Sequence, residues 1–207
     1  MNIALVAGGD FSPIEQGYDY YVGIDRGCLA LLDNGLPLDF AVGDFDSVTE
    51  NELMKIRANA KEIVSAPSVK NDTDTELALK VVFARFPTAL VTVYGAFGGR
   101  LDHLFSNVFL PSEPALAPFM QQISLVNTQN HISYAPAGKH QILPVQGMKY
   151  VSFMAEDKLT IAGAKYELNA QNFFSKKIYS SNEFIGKPIE VSLNSGYVVI
   201  IQSRDRE

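Results

Sequence analysis

Through the first 127 positions, short apolar runs alternate with segments of helical spacing. Runs at 3–7, 20–24, 40–42, 63–65, 89–94 and 123–126 read as strands. Several are apolar without a break, as expected for strands covered on both faces. Residues 28–34, 50–57 and 101–110 read as helices, with Gly35 and Pro111 as stops. Thr73-Asp74-Thr75-Glu76 is a capping-box pattern that opens another helix, with Leu77, Val81 and Val82 along one side. On the helix from 101, Leu101, Leu104, Phe105 and Val108 are expected to make the buried side. Strands alternating with helices predict an α/β fold with a mostly parallel sheet and flanking helices.

Near Asn127 the pattern changes. Strand-like runs at 132–134, 150–153, 159–161, 190–193 and 197–201 follow, separated by turn residues such as Gly138, Gly147, Gly163 and Gly196. No helical period is present. This predicts a small all-β sandwich, so two domains are expected, 1–127 and 128–207.

Composition narrows the classes. Apolar residues are 47% of the 207, enough for a core, and charged residues are only 19%, which argues against disorder. A net charge of −6 argues against a nucleic-acid surface, which needs clustered Lys and Arg. Cys28 is the single cysteine, so no internal disulfide can form, and its apolar surroundings suggest an inert thiol. The N-terminus has no signal-peptide pattern and no run reaches membrane-span length, so a cytoplasmic protein without membrane contact is expected.

Candidate chemistry centres on Gly43-Asp44-Phe45-Asp46-Ser47, directly after the third apolar run. If the strand geometry persists, Asp44 and Asp46 project together from its carboxyl end, where open α/β sheets bind ligands. Two adjacent carboxylates suit Mg²⁺, which takes one or two such ligands plus substrate phosphates. The alternative is two turn-forming aspartates, one of them capping the helix near Thr49. Gly95-Ala96-Phe97-Gly98-Gly99-Arg100 joins a strand to a helix and could cradle an anion on its amides, with Arg100 as a phosphate fork. On that helix Asp102 shares a face with Ser106, and His103 with Asn107; His103 reads as a local hydrogen-bond partner. The P-loop and dinucleotide fingerprints are both absent.

Taken in order, Gly43–Ser47, the segment at 70–79, the segment at 95–107 and Ser181-Asn182-Glu183 resemble the bacterial-type thiamine pyrophosphokinase family, nearly end to end. That resemblance implies transfer of a diphosphate from ATP to the thiamine hydroxyl, giving thiamine diphosphate and AMP. It implies Mg²⁺ as cofactor, held by Asp44, Asp46 and Asp74. It implies catalytic roles for Asp44, Asp46, Asp74, Arg100 and Asp102. ATP contacts fall to Asp25, Arg26, Asp44, Lys70, Thr73 and Arg100, and thiamine contacts to Ser181 and Asn182. The first domain would bind nucleotide and the second thiamine. The resemblance also implies a homodimer whose site is shared between chains. One departure stands out: Asn71 occupies a place where the family commonly has Asp, and Asp72 falls in a variable one. Asn71 can offer the metal a neutral oxygen, and Asp72 is the alternative carboxylate. Ala164 and Glu167 also depart from the family's Gly-Leu-Lys-Tyr-Pro-Leu segment. Other readings are a non-catalytic nucleotide or thiamine sensor, or a pyrophosphokinase for another small alcohol such as a pterin.

Overall fold

The computed structural model describes residues 1–10, 12–65 and 72–206, and they fall into two compact units, Met1–Thr128 and Gln129–Glu207. The first is built on six parallel strands: β1 (Asn2–Val6), β2 (Tyr20–Ile24), β3 (Phe40–Gly43), β4 (Glu62–Ser65), β5 (Leu90–Tyr94) and β6 (Ile123–Val126). Their spatial order is β6-β5-β1-β2-β3-β4. The chain runs outward from β1 to β4, then returns to place β5 on the other side of β1. That reversal opens a crevice between the carboxyl ends of β1 and β5, where sheets of this kind bind ligands.

Among the described residues four α-helices flank the sheet: α1 (Gly27–Asp33), α2 (Glu50–Asn59), α3 (Asp74–Arg85) and α4 (Leu101–Val108). Cys28 and Leu31 of α1 pack with Ile56 of α2 against Ala4, Val6 and Ala41. Ile3 and Leu5 alternate to the opposite face and are equally buried, so β1 is covered on both sides. Capping boxes start α2 (Thr49 with Glu52) and α3 (Thr73 with Glu76). The buried face of α3 is Ala78, Leu79, Val82 and Phe83, so Leu77 and Val81 lie only at its margin. The pattern misjudged α4 more seriously. Leu101 and Phe105 are exposed at 67% and 51%, and the buried residues are Asn107 and Val108. Asn107 donates its amide to the Ala96 carbonyl at 2.9 Å. This bond turns Asn107 inward, and Phe105, two residues and about 200° away around the helix, necessarily turns outward.

The second unit is antiparallel. It comprises β7 (Asn130–Ile142), β8 (Tyr150–Ala155), β9 (Leu159–Ala162), β10 (Tyr179–Glu183) and β11 (Ile189–Ser203). β11 pairs with β7 along its length, with a register shift between Leu193 and Tyr197. On its other edge its first part pairs β9 and its last part pairs β8, which in turn pairs β10. The two halves share one apolar core: Val191, Leu193 and Ile161 pack in the same cluster as Val151, Phe153, Val198 and Ile200. No helix among the described residues is long and apolar enough to cross a membrane.

Candidate active site

A cavity of about 870 Å³ lies at the carboxyl ends of the first unit's strands. Its floor is main chain. The turn after β1 and the turn after β5 bind each other through three amides: Ala7 to the Tyr94 carbonyl at 2.9 Å, Gly9 to Gly95 at 2.9 Å and Asp10 to Phe97 at 2.8 Å. The approach is so close that a Cβ on Gly9 would collide with the carbonyls of Gly95 and Phe97. Gly8, Gly9 and Asp10 therefore line the cavity beside Gly98 and Gly99. Gly8 and Gly9 are not among the residues that the sequence singled out. Their position immediately after the first buried strand was the available signal.

Asp25, Asp44, Asp46 and Asp74 line the same cavity. Carboxylate oxygens of Asp25, Asp44 and Asp74 all lie within 4.8 Å of one another. Asp25 is half-buried at the end of β2, with φ of 46°, and accepts the Phe45 amide at 3.1 Å. Gly43 makes room for it, since a Cβ there would strike the Asp25 carboxylate. Burial, then the charge of Asp74, and further those of Asp44 and Asp46 push the Asp25 carboxyl up to about 6, although the Phe45 amide pulls the other way. Such a group is a carboxylate kept short of a counter-charge. Three hard oxygen donors so close together fit a divalent cation.

Asp46 is not in this trio. Phe45 has φ of 60° and its side chain is buried, so the chain turns after Gly43 instead of continuing as a strand. The Asp46 amide then donates to the Asp44 carboxylate at 3.1 Å, an Asx-type turn, and Asp46 lines the cavity as an exposed residue. The argument from strand alternation thus fails locally, and Asp25, which sequence reading assigned to nucleotide, takes the third place. Arg26 donates to the Ser47 carbonyl at 3.4 Å and lines the same cavity. Thr73 also lines it, its hydroxyl accepting the Glu76 amide as a helix cap. Lys70 and Asn71 lie outside the described residues. Asp72, the alternative carboxylate, is held by Lys80 instead.

Arg100 and Asp102 are both exposed and bind each other, Nε to Oδ1 at 3.1 Å. This pairing holds the Asp102 carboxyl down at about 2. Arg100 and His103 line the cavity, and Asn107, through Ala96, fixes the glycine turn to α4. In the second unit, Ser181 is exposed with φ of 60°. Asn182 is 3% exposed and its amide is engaged with main chain: Oδ1 accepts the amides of Tyr166 at 2.9 Å and Glu183 at 3.0 Å, while Nδ2 donates to the Tyr166 carbonyl at 2.7 Å. It ties two segments together and has little left to offer a ligand.

The family model described as "Thiamin pyrophosphokinase, catalytic domain" matches residues 11–119, and "Thiamin pyrophosphokinase, vitamin B1 binding domain" matches 139–198. The chain belongs to the thiamine pyrophosphokinase family. It is 32% identical to the thiamine pyrophosphokinase of Bacillus subtilis over 98% of this chain and 99% of that one. The crystal structure of a thiamin pyrophosphokinase family protein from Enterococcus faecalis superposes with a TM-score of 0.91 at 40% identity, covering both chains completely. Yeast thiamin pyrophosphokinase shares the fold, with a TM-score of 0.76 at 13% identity over 98% of this chain and 86% of that one. Both pyrophosphokinase family models fall on the regions where the two units lie.

Proposed function

We propose that this protein transfers a diphosphate from ATP to the hydroxyl of thiamine, releasing AMP. The reading is carried by the carboxylate trio and the glycine-rich turns that line one cavity, in a chain of the thiamine pyrophosphokinase family. A bond forms between the thiamine hydroxyl oxygen and the β-phosphorus of ATP. The bond from that phosphorus to the bridging oxygen breaks, and the oxygen leaves with AMP. The hydroxyl proton passes to solvent or a neighbouring base. A bound Mg²⁺ would neutralise charge on the phosphates.

Asp25, Asp44 and Asp74 would hold that ion, with Asp46 at the rim and Asn71 offering a neutral oxygen. Phosphate oxygens accept from those amides of the two interlocked turns that do not bind the facing turn, at Gly8, Gly98 and Gly99, an arrangement that needs no P-loop. Arg26, Lys70 and Arg100 meet phosphate charge, and Thr73 sets the turn that carries Asp74. Arg100 reaches the phosphates by leaving Asp102, an exposed pair that costs little to break. While paired, Asp102 is too acidic to act as a base; released, it orients the acceptor hydroxyl. Residues 1–127 form the nucleotide-binding catalytic domain and 128–207 the thiamine-binding one. Ser181 offers its hydroxyl to the aminopyrimidine, and Asn182 shapes that pocket from within. The active form is a homodimer whose sites combine residues of both chains. Use of Mg-ATP, together with a lone buried cysteine, fits the cytoplasm.

Incubation with Mg²⁺, ATP and thiamine tests the reading. Equimolar AMP and thiamine diphosphate are expected. ADP with thiamine monophosphate, or no turnover of either substrate, overturns it.

A further inference from the structure

Lys80 sits two turns into α3, yet its ammonium reaches back past the start of that helix. It grips both oxygens of Asp72 at 3.0 Å and one oxygen of Glu113 at 3.1 Å. All three side chains are partly buried, at 26% to 29% exposure. A cation near a helix N-terminus opposes the helix dipole, so these two carboxylates must hold it there. Glu113 is a firm anchor: its carbonyl accepts the amides of Leu116 and Ala117, and its carboxylate accepts that of Ala115 at 3.3 Å. Asp72 directly precedes Thr73, the cap of α3, and Asp74, a member of the carboxylate trio. Lys80 therefore clamps the turn that delivers Asp74.

We infer that Lys80 is a positioning residue for the cation-binding carboxylates, acting through Asp72. It fixes where Asp74 stands. The inference rests on the cation site of the proposed function and adds to it a residue that touches neither ion nor substrate.

The test is titration of the intact, nucleotide-free protein with Mn²⁺, following free Mn²⁺ by electron paramagnetic resonance. Lys80→Met is expected to raise the Mn²⁺ Kd about tenfold, the scale seen when a partner behind a ligand is lost. Lys80→Arg, which can keep both contacts, should stay within about twofold of wild type, a small part of that outer-shell range. Asp72→Asn should weaken binding as Lys80→Met does, and the double variant should be no weaker than either single one, because both remove the same contact. Arg85→Met removes an equal charge from the same helix, where Arg85 pairs with Glu62, and should leave the Kd unchanged. In turnover, the Mg²⁺ needed for half-maximal rate should rise in Lys80→Met while the thiamine KM stays put. An unchanged Mn²⁺ Kd in Lys80→Met, multiplicative losses in the double variant, or an equal shift in Arg85→Met overturns the inference. Should wild type release no AMP, the reaction assignment falls, and the Mn²⁺ titrations still decide the role of Lys80.

Discussion

At the scale of single residues, Asp25 carries the clearest consequence. Its carboxyl is raised to about 6, so the folded protein prefers it protonated. Stability from this source is complete below the unfolded value near 4 and is lost as pH rises through 6. After discounting for partial exposure, the loss at pH 8 is on the order of 1–2 kcal/mol. Asp25→Asn should therefore melt higher than wild type at pH 8 in chelator, and the advantage should vanish at pH 4 while activity is lost at either pH. Equal melting temperatures at pH 8 would mean that Asp25 is not under strain from its neighbours. Asp44→Ala should lower kcat by at least about 10²-fold, the scale of a lost charge contact in the transition state, without lowering the melting temperature. Asn182 behaves differently. Removing its amide strands the Tyr166 main chain and costs about 1–3 kcal/mol, so Asn182→Ala should show a lowered melting temperature before any change in thiamine KM. Asp44 was named from its motif after β3, and Asp74 from the family resemblance alone. Asp25's place in the trio was not legible, since it follows from φ of 60° at Phe45, a backbone choice that no side-chain pattern announces.

Among the elements, agreement between pattern and structure tracks how strongly burial alone sets each one. Most of the parallel strands were legible as buried apolar runs, with β4 the partly exposed exception, and the capping-box pattern at Thr73 located the start of α3. α4 was misjudged because one buried polar bond outweighs its apolar stripe. Asn107 must meet the Ala96 carbonyl, so the helix presents Leu101 and Phe105 to solvent. The prediction is asymmetric. Phe105→Ser should shift unfolding by no more than about 0.5 kcal/mol, whereas Leu79→Ala on the buried face of α3 should cost about 2–5 kcal/mol. Denaturant unfolding measures both. A large loss at Phe105 would put that face in a contact of its own.

At the scale of the whole molecule, the division of labour can be tested by mixing chains. Asp44→Asn disables the carboxylate trio, and Ser181→Asp puts a charge at the proposed acceptor pocket in a residue type that tolerates positive φ. Each variant should be inactive alone, and a mixture under subunit exchange should regain part of the wild-type rate if sites are shared between chains. No recovery despite demonstrated exchange would confine each site to one chain. The position of β1 has a different kind of consequence. It is made before both of its neighbours and lies inside the sheet, paired to β2 on one edge and to β5, beginning at Leu90, on the other. Until those later residues emerge, the nascent chain carries an apolar strand with an open edge, a template for wrong pairing. The two turns that form the cavity floor hang from β1 and β5, so the cradle cannot close before that pairing is made. Translation pauses that expose only the first half of the α/β unit should recruit chaperones, and competence to bind nucleotide should arrive late in synthesis.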